Sequence, residues 1–122
     1  MEALEEAGNK RAAAQLNLDK GRIDFDKCVE YTTRAHARLE RLRIKEQTAR
    51  NDKNMQEQQR WEAEVESQRV LLNDAIKAQQ NQLKIVRDLE KDAEKAEHEY
   101  FKTKGRHRRA VLNDIDSDSE SN

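Results

Sequence analysis

The sequence predicts an all-α chain: two long helices paired antiparallel as a coiled-coil hairpin, followed by a disordered acidic tail. Three observations carry this. Charged residues make up 40% of the 122 positions, against 34% hydrophobic and 4% aromatic, with three glycines and no proline. A compact globule needs turns and a large apolar interior, and the composition supplies neither. Apolar residues recur at coiled-coil spacing through most of the chain, and a short polar stretch interrupts them near the middle.

The first helix is expected over residues 1–50. Every seventh residue from Leu4 gives Leu4, Arg11, Leu18, Phe25, Thr32, Leu39 and Glu46. Three residues on, a second series gives Ala7, Ala14, Gly21, Cys28, Ala35, Leu42 and Ala49. One series is mostly large and the other mostly small, as in a seam whose alanines admit a close neighbour. Arg11, Thr32 and Glu46 are its defects. Glu6 with Lys10, Glu30 with Arg34, and Glu46 with Arg50 add helical ion pairs worth about 0.2–0.5 kcal/mol each. Gly21 costs roughly 1 kcal/mol relative to Ala, so a kink or a break near residue 21 is expected.

Residues 51–54 form the connection. Asn and Asp cap helices better than they continue them, because their side chains bond nearby backbone groups. Asn54 with Glu57 three residues later resembles a capping box. Nearly equal arms around a short polar link favour a hairpin. An unbroken rod is the rival, since neither Gly nor Pro enforces a turn.

The second helix is expected over residues 55–104. Trp61, Val65, Leu72, Ile76, Leu83, Val86, Leu89, Ala93 and Tyr100 define its stripe. Their spacing begins closer to an 11-residue than a 7-residue repeat. Gln68, Gln79 and Gln82 intrude on the stripe, and polar seam residues favour one register over others. Trp61, just past the connection, suits either a partner hot spot or a seal at the hairpin tip.

Residues 105–122 are read as a basic knot and a disordered acidic tail. Lys102, Lys104, Arg106, Arg108 and Arg109 make the knot, a candidate anion-binding patch. Gly105 is placed to end the helix. The stretch from Asn113 to Asn122 is acidic and serine-rich, a composition that does not pack. Ser117, three residues before Glu120, is a candidate phosphorylation site.

Several function classes are disfavoured. Lys+Arg at 24 balance Asp+Glu at 25, so no bulk field draws the chain to a polyanion, and nucleic acid is not the expected partner. The knot beside Tyr100 and Phe101 is the one foothold for that alternative. Membrane insertion is not expected, since no stretch approaches about 20 apolar residues. The N-terminus lacks the basic and apolar regions of a secretory signal, and Cys28 is a lone cysteine, so an intracellular setting, cytoplasmic or nuclear, is expected. Cys28 and His36 lie about 80° out of phase on a helix and build no nucleophilic site. Glu94 and His98 are one turn apart but lack further ligands. No catalytic residue, metal or cofactor is expected.

The run from Trp61 through Val65, Leu72, Leu83 and Leu89 to Lys95, Glu97 and Phe101 resembles the second helix of the export-stalk proteins of flagellar and type III secretion systems. That resemblance implies a coiled-coil hairpin acting at an export ATPase, without catalytic residues of its own. The serine-acid tail departs from the family pattern and suits a eukaryotic or viral assembly factor equally well.

The expected function is thus a non-enzymatic interaction or assembly subunit, a scaffold or adaptor in a larger complex, with an export stalk as one alternative and a nucleic-acid-associated structural protein using the basic knot as another. Leu18, Phe25, Leu39, Leu42, Trp61, Leu72, Ile76, Leu83 and Val86 are its candidate interaction seam. Two helices bury only one stripe each, so protein partners or homo- or hetero-oligomerisation are expected to complete it.

Overall fold

The computed structural model describes residues 2–120, with side chains described as far as Asp114. The fold is all-α: α1 spans Glu2–Asn51 and α2 spans Met55–Glu120, and the two helices pack against each other. No strand occurs among the described residues.

The connection follows from its sequence. Asn54 N–H donates to the Ala49 carbonyl at 3.0 Å and Lys53 N–H to the Arg50 carbonyl at 3.1 Å. This pair of bonds is the Schellman arrangement, which ties off orphan carbonyls at a helix end. It requires a left-handed residue, and Lys53, with φ 56°, takes that role without being glycine. Asn54 then starts α2: its side-chain oxygen accepts the Glu57 N–H at 3.2 Å, the bond expected of an N-cap. The chain therefore turns at the polar link, and the hairpin replaces the rod.

Two compact units make up the chain, Arg22–Ile85 and Met1–Gly21 with Val86–Asn122. In the first, Leu39, Leu42 and Val65 form a buried aliphatic cluster, with Trp61 and Leu72 packed against it. Contacts from Thr32 to Ala75, Ala35 to Gln68 and Lys45 to Trp61 descend along α2 as they ascend α1, so the pairing is antiparallel. In the second unit, Gly8 meets Tyr100, Arg11 meets Glu97 and Gly21 meets Leu89, in the same sense.

The α1 heptad is the inward face, and each of its three defects finds a partner. Arg11 pairs with Glu97 and lies over the Tyr100 and Phe101 rings, at 4.8 and 4.9 Å. The Thr32 hydroxyl donates to the Cys28 carbonyl at 2.9 Å, with the Ala75 carbonyl at 3.4 Å across the seam. Glu46 accepts from Arg50 at 2.7 Å.

Four sequence expectations are corrected. Helix α1 runs unbroken through Gly21, whose missing side chain makes room for Leu89: a Cβ there would lie 2.7 Å from a Leu89 methyl. The α2 seam follows a heptad, not an 11-residue repeat. It uses Trp61, Val65, Gln68, Leu72, Ala75, Gln79 and Gln82, then Val86, Leu89, Ala93, Ala96 and Tyr100, all buried or half-buried. Ile76 consequently leaves the seam and is exposed, while Ala75 beside it is buried. Finally, α2 does not stop at Lys104. It passes through Gly105, and the arms are 50 and 66 residues rather than nearly equal. The intact α-helical hydrogen-bond ladder tolerates one glycine at a cost of about 1 kcal/mol. The disorder expected of the acidic tail concerns residues that lie, in their side chains from Ile115 onward, outside the described ones.

Candidate interaction surface

Of the candidate seam residues, Leu18, Leu39, Leu42 and Val86 are buried and Phe25, Trp61, Leu72 and Leu83 half-buried. All of these but Leu83, which lies beside the seam position of Gln82, sit at the heptad positions that hold the two helices together, so most of this apolar stripe is already occupied from within. Trp61 is a seal at the tip: it packs on the Leu39–Leu42–Val65 cluster, and its indole N–H donates to Glu57 at 3.1 Å. Lys45 and Arg60 stand over its ring, each 4.7 Å from the centroid. Gln68 is the polar seam residue with the clearest role. It is buried, and its amide donates to the Ala35 carbonyl at 3.0 Å. That bond fixes one register, because a slip along the seam would strand a buried amide.

The outward faces carry what remains available. In the unit Arg22–Ile85, Ile23, Tyr31, Ile44, Val70, Leu71 and Ile85 keep 48–65% of their surface exposed. Ile23 and Ile44 occupy the heptad position farthest from the seam. Tyr31 and Leu71 line a groove of about 420 Å³ along one flank, together with Ala35, Ala37 and Gln68. Arg34, Arg38 and Arg41 border the same groove. Arg34 is paired with Glu30. Arg38 and Arg41 have no ion pair or hydrogen bond among the described residues. Sequence reading missed this site, although the spacing of the three arginines, one per turn, was visible in it.

The basic knot is resolved into two sides of α2. At about 100° per residue, Lys102, Arg106 and Arg109 fall within about 60° of one another, and Lys104 and Arg108 lie on the far side. All five are exposed. Lys91, Lys95 and His98 continue the Lys102 side, so the knot is the end of a longer basic face. Ser117 lies outside the residues whose side chains are described. Glu94 and His98 are exposed, and no group of three or more His, Cys, Asp or Glu able to hold a metal occurs among the described residues. Among the described residues, no helix is long and apolar enough to cross a membrane.

No protein-family model matches the chain, and neither a characterised protein nor a solved structure is found similar to it.

Proposed function

We propose that this chain is a non-enzymatic coiled-coil interaction subunit, a scaffold or adaptor that joins a larger assembly. The supporting observation is the apolar surface left over once the two helices have paired. Single exposed apolar residues are ordinary. Here, however, Tyr31 and Leu71 share one groove and Ile23 and Ile44 share one heptad position. Homo- or hetero-oligomeric packing would cover them. Affinity purification of the intact chain with mass spectrometry, beside light scattering for its own mass, tests the reading. A monomer that returns no specific partner would contradict it. The export-stalk role is a narrower form of the same proposal, tested by co-purification with a hexameric ATPase.

The basic face supports a second reading, association with nucleic acid. Lys102, Arg106 and Arg109 are aligned on one exposed side of α2, as phosphate contacts require. Binding of a duplex should then fall steeply with salt and be lost when Arg106, Arg108 and Arg109 become Ala. Absence of binding at low salt removes this reading.

A further inference from the structure

We propose that the groove between Tyr31 and Leu71 receives the acidic C-terminal segment of a second copy of this chain. The inference rests on the interaction-subunit reading and names its partner. The groove has an apolar floor, from Tyr31, Leu71, Ala35 and Ala37, and a cationic border, from Arg34, Arg38 and Arg41. Arg38 and Arg41 are exposed and lack a carboxylate partner among the described residues. An occupant should therefore combine apolar side chains with carboxylates about one helical turn apart. A bare phosphate chain would satisfy the arginines and gain nothing from Leu71.

The C-terminal segment beyond Arg109 has that composition, without compensating lysine or arginine. Val111 and Leu112 keep 44% and 52% of their surface exposed on α2. Ile115 adds a third apolar residue, and Asp114, Asp116, Asp118 and Glu120 add four carboxylates. Asp114 and Asp118 are four residues apart in sequence, as are Arg34 and Arg38, so a helical segment would repeat its carboxylates at the arginines' spacing of about 6 Å. The two surfaces differ, so the contact joins copies head to tail. Phosphorylation of Ser117 would add negative charge to the inserted segment and tighten the contact.

Sedimentation velocity on the full chain over a range of concentrations at low salt tests this. Concentration-dependent association is expected, weakening at least tenfold when Arg38 and Arg41 both become Glu. Changing Asp114, Asp116 and Asp118 to Lys should do the same. Mixing these two charge-reversed chains should restore association between them, because the unaltered segment of one then meets the unaltered groove of the other, and the reversed segment the reversed groove. Leu71→Asn, which adds no charge, should weaken association of the unaltered tail, whereas a purely ionic contact would not register it. Circular dichroism checks that each variant retains its helicity, and the exposed arginines make loss of fold an unexpected result. A full chain that is monomeric at all concentrations overturns the inference. So does association that survives Arg38→Glu with Arg41→Glu, that is not restored by mixing, or that depends instead on Arg106, Arg108 and Arg109. In each of those cases, specific partners captured by the intact chain would leave the interaction-subunit reading standing.

Discussion

The two compact units solve the same packing problem with different side chains. In the unit Arg22–Ile85, Leu39, Leu42 and Val65 bury a continuous aliphatic cluster under Trp61, and the chain is closed by a capped turn. In the other unit Leu18 and Val86 are buried and Leu4 and Leu89 half-buried, but the rest of the seam is made of small residues and one polar-aromatic cluster. Ala7, Ala14, Gly21, Ala93 and Ala96 line it, with Gly8 against the Tyr100 ring at 3.6 Å and Arg11 between Glu97 and two aromatic rings. Small residues let helix backbones approach but bury little area. Apolar burial is worth roughly 25 cal/mol per Å², so the aliphatic cluster carries more stability per turn than the alanine seam. Exposed ion pairs of the Arg11–Glu97 kind add about 0–1 kcal/mol and weaken with salt.

Substitutions can break this contrast. Leu39→Ala, at the most buried large side chain, should destabilise the chain by about 2–5 kcal/mol in urea unfolding monitored by circular dichroism. An effect near zero would mean the cluster is not the main support. Gly21→Ile should cost about 1–3 kcal/mol, because its Cβ collides with Leu89 and its branches have no room to turn aside. Gly21→Ala, in contrast, sets a flexible Leu89 methyl against a better helix former and should change stability little. Asn54→Ala removes the acceptor for the Glu57 N–H and should cost about 1 kcal/mol. Lys53→Gly should act in the opposite direction, gaining up to about 1 kcal/mol as the left-handed residue loses its Cβ conflict. Arg11→Gln should be the mildest loss, about 0.5–1 kcal/mol, since what disappears is a partly exposed cation–π contact and a surface ion pair. Thermal melts of this variant and its parent should converge as salt is raised only to the extent that the Glu97 pair contributes.

The contrast also explains what the sequence displayed. The inward face of α1 was legible, because its heptad places apolar or small residues at most inward positions, but its continuity through Gly21 was not. Asn54 was legible as a cap because its chemistry is local to four residues. The register of α2 was not. Gln68, Gln79 and Gln82 occupy seam positions but carry no hydrophobic signal, so Ile76 and Leu83 drew the stripe toward a longer repeat. Only the Ala35 carbonyl, brought near by the other helix, shows why a glutamine can be buried there. Gly21 misled for a related reason: its propensity argues for a break, whereas Leu89, remote in sequence, occupies its open side. The continuation of α2 past Gly105 likewise runs against the local signal. Among the candidate interaction residues, the apolar stripe was found and assigned to partners outside the chain, while the hairpin itself uses most of it. The arginine-bordered groove escaped notice because Leu71 joins Tyr31 and Arg38 only after the helices pair.

Hydrogen exchange of the intact chain, read by mass spectrometry at peptide resolution, tests the difference between the units most directly. Amides that open only with the strongest packing exchange most slowly. The account predicts the slowest exchange around Leu39–Leu42 and Val65–Leu72, and distinctly faster exchange in residues 2–14 and 93–103. Equal protection in both units, or slower exchange in the alanine-lined one, would contradict it.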